Sequence, residues 1–422
     1  MIEIPIWLLV TLSASTLLLG TMLWTVLRER NFKVKVPDLD AFEEALPSIA
    51  GMTQAVILKG NRVDLLQNGD EFFPALLESM AKAKETIHYE TYVWWKGDIC
   101  GKIAGALAAR ARDGLEVRVM VDAVGSLKMD RKLVKMMKKA GVRFKHYHPL
   151  RLQDIGQLNK RTHRKLAVFD GTVAYVFGHG AAQEWLGHGQ DGKHWRDTGV
   201  RLRGPIVSAV QSVFAQHWVE ELGEVLVGEK YFPHLEEAGD ISVHMLSGAP
   251  LGGVSGLELL FKMGIATAQK ELWIQNPYFI PDDESVDLLA RAVKRGVDVR
   301  VMVPGPYNDS TLVKHAGHHH FGDLMRKGVR LFIHQKTLIH QKIMIIDGLW
   351  SHVGSTNLDD RSFDINEEAG VGIIDKGIAQ KLKEAFLEDA KSCVEQKAED
   401  WERRPALHKA FDVVCYLLSG QL

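Results

Sequence analysis

One nine-residue pattern, H-x-K-x-x-x-x-D-G, occurs twice in this chain. It spans His163 to Gly171 and returns in the second half from His340 to Gly348. Looser matches keep a similar offset. Asp113-Gly114-Leu115-Glu116 runs into the apolar stretch Val117–Val121, and Arg295-Gly296-Val297-Asp298 runs into Val299–Val303. Gly141-Val142-Arg143 is answered by Gly328-Val329-Arg330 at nearly the same separation. Several separate matches at one long period mean a duplicated domain rather than a solenoid of short units. A chain of 422 residues has room for two such domains, and 46% apolar with 25% charged residues is globular composition.

Each copy reads as α/β. In the first, Phe72–Ala83 has helical spacing and Thr86–Trp94 is strand-like. Cys100–Arg112 is an Ala-rich helix closed by Gly114, and Val117–Val121 suits a buried strand. Strands alternating with helices predict a largely parallel or mixed sheet covered by helices. Glycines near 225–250 set the boundary. The expected organisation is a first half over 45–225, a second over 240–395 and a helical tail over 396–422.

Both motifs end in Asp-Gly between apolar runs, which predicts a hairpin in each, with strands continuing over Thr172–Phe177 and Leu349–Val353. Two-residue alternation places His163 with Lys165, and His340 with Lys342, on one strand face. Two His–Lys pairs joined by duplication suit a phosphodiester. Lysines hold the non-bridging oxygens as charge develops. One neutral imidazole attacks phosphorus, and the other protonates the leaving alkoxide. The two need environments that separate their pKa values. The scheme calls for no metal and no cofactor. Asp197, downstream of His163, and Glu368, downstream of His340, are the candidate carboxylates to orient the imidazoles, with Glu367 as the confounder. Ser355 and Asn357, after the second hairpin, are candidate phosphate donors. Asp170 and Asp347 complete the motif and count with the catalytic set, although their place at a hairpin end suits a turn or ion-pair role better.

These residues resemble the phospholipase D superfamily, and within it the bacterial cardiolipin synthases. The resemblance covers most of 45–395. It includes Asn68-Gly69-Asp70, Asn276-Pro277-Tyr278-Phe279-Ile280-Pro281, Gly354-Ser355-Thr356-Asn357 and Asp360-Arg361-Ser362-Phe363. It implies two phospholipase D-like halves in pseudo-twofold arrangement, with the active site between them and no metal requirement. It implies that His163 is the nucleophile, that His340 is general acid and then base, and that Lys165, Lys342 and Asn357 bind phosphate. The implied reaction is phosphatidyl transfer to the hydroxyl of phosphatidylglycerol, giving cardiolipin. The alternative is a phospholipase D-type hydrolase releasing phosphatidic acid. One departure stands out. In Phe177-Gly178-His179-Gly180, Gly180 occupies the position where the family often has Asn.

The N-terminal stretch 5–27 carries no charge. As a helix it would run roughly 35 Å, enough for a hydrocarbon core of about 30 Å. It predicts a transmembrane anchor, and Arg28, Arg30, Lys33 and Lys35 predict a single pass with the catalytic body on the cytoplasmic side. The bacterial resemblance makes that an inner membrane. With 52 Lys+Arg against 53 Asp+Glu, the chain is not a general nucleic-acid coat. The expected partners are phospholipids and the membrane, not nucleic acid. Three scattered cysteines, Cys100, Cys393 and Cys415, give neither a disulfide framework nor a thiolate metal set. His315 and His318-His319-His320 read as surface or cleft-mouth histidines, because consecutive residues on a helix point different ways. Leu407, Phe411, Val414 and Leu418 form a helical apolar stripe that suits either a membrane surface or docking on the domain.

Overall fold

The computed structural model describes residues 5–27, 36–37, 42–149, 159–248 and 255–421. The basic flank 28–35, on which the orientation rests, lies outside the described residues.

Fifteen strands define the architecture. The first half contributes β1 (Ile57–Gln67), β2 (Thr86–Thr91), β3 (Glu116–Asp122), β4 (Arg143–Tyr147), β5 (Leu166–Phe169), β6 (Val173–Phe177) and β7 (Thr198–Arg203). The second contributes β8 (Ile241–Gly248), β9 (Glu271–Gln275), β10 (Asp298–Pro304), β11 (Arg330–His334), β12 (Ile343–Ile346), β13 (Trp350–Gly354), β14 (Glu368–Ile374) and a short edge strand, β15 (Cys393–Glu395). Their order is β15-β11-β10-β9-β12-β13-β14-β8-β1-β7-β6-β5-β2-β3-β4. Read outward from the antiparallel β1–β8 pair, the two arms match strand for strand: β7 with β14, β6 with β13, β5 with β12, β2 with β9, β3 with β10, β4 with β11. This is the duplication as topology. In each arm three consecutive strands, β2-β3-β4 and β9-β10-β11, are parallel and the hairpin strands antiparallel, with β15 added antiparallel at the edge of the second arm.

A central core is shared by both arms. Leu166, Val168 and Val176 of one arm and Ile343, Ile345 and Val371 of the other pack with Trp218 and Phe214 from the helix Ile206–Leu222, and with Leu382 and Phe386 from the helix Lys376–Ala390. On the outer face of the first arm lie the helices Asn68–Lys82, Asp98–Arg112 and Arg131–Lys139, with their own apolar cluster. Asp283–Lys294 and Thr311–Arg326 cover the second. Helices thus sandwich each sheet, as the alternating sequence pattern predicts.

The N-terminal residues do form a helix, Ile6–Leu27. Among the described residues, however, no helix is long and apolar enough to cross a membrane. The expected transmembrane span is therefore not shown. After the last core helix the chain forms β15, the short helix Ala398–Glu402, and Ala406–Tyr416, which packs on Thr311–Arg326.

Candidate active site

The hairpins position the motifs. In each, Asp and Gly both take positive φ: 52° and 61° at Asp170 and Gly171, 53° and 62° at Asp347 and Gly348. That is the two-residue turn whose twist matches the flanking strands, and Asp and Gly tolerate it. The Asp carboxylates face away from the motif histidines. Asp170 accepts the backbone N–H groups of Lys84, Glu85 and Thr86 at 2.8–2.9 Å. Asp347 accepts those of Gln269, Lys270 and Glu271. Each therefore ties its hairpin to the start of the neighbouring strand, the turn role that the sequence suggested for both.

The His-x-Lys segments lie just before β5 and β12 rather than within them. They are held in extended form by the opposite half. The His163 N–H donates to the Glu367 carbonyl at 2.8 Å, and the His340 N–H to the Arg196 carbonyl at 2.8 Å. Isolated bridges Thr162–Glu367 and Arg196–Ile339 fix this register. The next residues along each bridge are His163 with Glu368 and Asp197 with His340.

The carboxylate partners are accordingly exchanged between halves. The Nδ1–H of His163 donates to both Glu368 oxygens, at 2.9 and 3.0 Å. The Nδ1–H of His340 donates to Asp197 Oδ2 at 2.7 Å. The sequence suggested partners from within one half. A whole strand, β6 or β13, separates a motif from the carboxylate of its own half, so that pairing does not form. Glu367 is not the orienting group. It accepts from Arg164 at 2.6 Å and lies 3.2 Å from His217 Nε2, while His217 Nδ1 meets Glu90 at 2.6 Å. This buried chain of charges joins the halves behind the histidines.

Each Nδ1 being committed to a carboxylate, Nε2 is the ring nitrogen that remains for chemistry, and at His340 it sits beside the Lys342 ammonium. The side chains of His163 and His340 are only 11% and 9% exposed. Burial, with the charges of Lys165 and Lys342, pushes the His163 imidazolium down to about 4 against the pull of Glu368. His340 is held well below the ordinary imidazole value, first by burial, then by Lys342, Lys165 and His163. Burial lowers the lysines too, Lys165 to about 7 and Lys342 to about 8. The Lys165 ammonium donates to the His163 carbonyl at 2.8 Å and the Lys342 ammonium to the His340 carbonyl at 2.6 Å. Lys342 Nζ also lies 3.1 Å from both ring nitrogens of His340.

Ser355 Oγ donates to Glu368, steadying the partner of His163. Its placement is thus against a carboxylate. Asn357 is buried, and its Oδ1 has no hydrogen-bond partner among the described residues. Three aromatic neighbours carried no sequence signal. Tyr92 packs edge-on to His163 with ring centroids 5.0 Å apart. Trp185 and Trp195 flank His340 at 5.0 and 5.6 Å. Tyr278, in the quoted Asn276–Pro281 segment, donates to Asp309 at 2.7 Å.

The histidine-rich stretch is not in this site. His315 and His318 converge on Asp412, with ligand atoms within 4.8 Å of one another. The Arg404 guanidinium also reaches Asp412, at 2.9 Å. A fixed cation already neutralises that carboxylate, and the cluster fastens the C-terminal helix to Thr311–Arg326.

Comparison with known proteins agrees with this geometry. The family profile described as "Cardiolipin synthase, PLD-like domain" matches residues 76–218 and 262–390. The chain is 32% identical over 397 residues to the cardiolipin synthase of Listeria innocua serovar 6a, covering 93% of this chain and 82% of that one. It is 35% identical to the probable cardiolipin synthase YwiE of Bacillus subtilis, covering 86% and 72%. Among solved structures, the phosphatidylserine synthase of Haemophilus influenzae Rd KW20 shares the fold, with a TM-score of 0.69 at 15% identity over 90% of this chain and 100% of that one. The polyphosphate kinase of Porphyromonas gingivalis aligns with a TM-score of 0.54 at 14% identity, over 92% of this chain and 57% of that one. A duplicated α/β fold with two His–Lys motifs meeting across its axis defines an enzyme of the phospholipase D superfamily. Within that superfamily, the chain belongs to the cardiolipin synthase, phospholipase D-like family.

Proposed function

We propose that the protein is a phosphatidyltransferase that makes cardiolipin from phosphatidylglycerol by double displacement at phosphorus. The observation that carries this reading is the exchange of carboxylates, which gives each half one imidazole with a fixed tautomer and an available Nε2. His163, neutral at pH 7, attacks the phosphodiester of a donor lipid, forming the P–N bond as the P–O bond to glycerol breaks. His340 gives the departing glycerol oxygen its proton. The phosphodiester anion between Lys165 and Lys342 offsets the charges that keep His340 deprotonated, so the acid is formed with substrate in place. His340 then takes the proton of the acceptor hydroxyl, which attacks phosphorus and restores His163.

The membrane enters the same reading. The helix Ile6–Leu27 exposes Leu12, Leu17, Leu18 and Leu19. The C-terminal helix is docked through Asp412 and Cys415 and turns Leu407, Val414 and Leu417 outward. A helix apolar all round belongs in a core or in lipid. We place the catalytic body at the cytoplasmic face of a bacterial inner membrane, held by the N-terminal helix.

The test is full-length protein in liposomes of phosphatidylglycerol, with products read by mass spectrometry beside His163→Ala. Cardiolipin with free glycerol, absent in the variant, is the expected result. Phosphatidic acid would make water the acceptor and the protein a hydrolase. Product formation unaffected in the variant would remove His163 from the mechanism.

A further inference from the structure

The two halves differ at one matched place. After β13 the second half has Ser355 and Asn357; the corresponding residues after β6 are Gly178 and Gly180. Neither glycine can be replaced freely. A Cβ at Gly178 would lie 2.2 Å from Asp197 Oδ1, and one at Gly180 would lie 2.8 Å from Trp185 Cζ3 and 2.9 Å from Val93 Cβ. The first half therefore has no hydroxyl for its carboxylate and no amide beside the phosphate position. One residue fills both gaps. The Trp185 Nε1–H donates to Asp197 Oδ2 at 2.8 Å, the same oxygen that accepts from His340. Its six-membered ring occupies the space over Gly180.

We propose that Trp185 is a positioning residue: its indole N–H does for Asp197 and His340 what the Ser355 hydroxyl does for Glu368 and His163, and its ring replaces the amide of the first half. The inference rests on the proposed role of His340 as proton donor and acceptor. Trp185 is suited to it by rigidity. It is buried, meets His340 edge-on at 89°, and packs on Trp195 with centroids 4.4 Å apart. Its backbone is fixed as well, because Gly69 leaves room for its carbonyl, which a Cβ there would approach to 2.0 Å. A rigid donor to Asp197 fixes where the carboxylate points and how strongly it attracts the imidazolium of His340.

The charged and titratable groups that face His340 are Asp197, Lys342, Lys165 and His163, with His179 stacked on Phe72 behind Asp197. Trp185→Phe keeps the ring and removes only the N–H. Asp197, losing a donor, becomes the stronger acceptor, so the pKa of His340 rises. In the liposome assay, kcat is expected to fall about tenfold, the scale of one hydrogen bond to a charged group, with KM within about twofold. The alkaline limb of the kcat profile, set by His340 as acid, is expected to move up by roughly half a pH unit. A merely structural tryptophan would lower activity without moving that limb. The ring's second role is read by a cycle. Because a Cβ at Gly180 also meets Val93, the cycle is run in a Val93→Gly background: there Gly180→Asn collides with Trp185 and loses activity, and Trp185→Ala/Gly180→Asn regains at least about tenfold over it, a non-additivity expected of groups sharing one volume. An unmoved limb in folded Trp185→Phe, or a double variant no better than Gly180→Asn, would overturn the proposal. If the wild type makes no lipid product, the reaction reading fails instead. The NMR titration of His340 in wild type and Trp185→Phe then reads this proposal alone, an upward shift supporting it and coincident curves ending it.

Discussion

Burial acts on His163, His340, Lys165 and Lys342 in one direction, and neighbouring positive charges add to it at the first three: each tends to lose its proton. For the nucleophile this is useful, because its Nε2 lone pair is free at pH 7. For the lysines it sets a limit. The proposed mechanism uses their charge to hold the phosphodiester, and with values of about 7 and about 8 that charge is lost far earlier than for an ordinary lysine. In the free enzyme, kcat/KM is therefore expected to decline as pH rises through about 7 to 8, measured in liposomes whose lipid charge is constant over that range. Asn357 is buried with its Oδ1 unpartnered among the described residues; under the proposed mechanism its amide binds phosphate, so Asn357→Ala is expected to lower kcat about 10²-fold, the usual scale for one lost oxyanion donor. The two His–Lys pairs were readable because duplication printed them twice. Which carboxylate serves which histidine was not, since the answer depends on contacts across the molecular axis, and Glu367 and Glu368 are adjacent. Trp185 left no mark at all, for a buried tryptophan in a single 3-10 turn reads like any other.

Each Asp-Gly hairpin is clamped to its neighbouring strand by three backbone N–H groups, and this gives the closing Asp of the motif a mechanical job. Asp170→Ala strands those donors and places alanine at positive φ. A loss of about 2 to 4 kcal/mol in unfolding stability is expected, read by denaturant titration, with kcat per folded molecule nearly unchanged. A fall in kcat comparable to that of His163→Ala would return Asp170 to the reaction. The elements read in the first half, Phe72–Ala83, Thr86–Trp94, Cys100–Arg112 and Val117–Val121, fall within a few residues of the helices and strands found. The start of β5 and β12 was not legible. His-x-Lys alternates like a strand, but its backbone partners are Glu367 and Arg196 of the other arm, and no periodicity reports a pairing so distant in the chain.

Across the whole molecule, His88, His179 and His244 are buried with values near 4, and His352 near 3, as is His163 near 4. The unfolded chain binds protons at these groups below about pH 6.5, while the folded chain resists until about 4. Stability is therefore complete above about 6.5 and is lost progressively as pH falls toward 4. Tm measured by calorimetry is expected to drop steeply across that interval, and replacing His88 or His244 by a neutral residue of similar size should flatten the drop. A Tm independent of pH from 7 to 4.5 would contradict this account. The bulk of that acid sensitivity sits in the shared core and sheets, so the two arms are expected to unfold together.

Gene duplication ordinarily provides a spare copy that can decay or drift at little cost. The crossed carboxylates deny that freedom here. Damage to Asp197 is a lesion in the first repeat, yet it falls on the histidine of the second. Damage to Glu368 does the reverse. Within this chain neither repeat can back up the other, so selection must act on the pair as though it were a single, unduplicated gene.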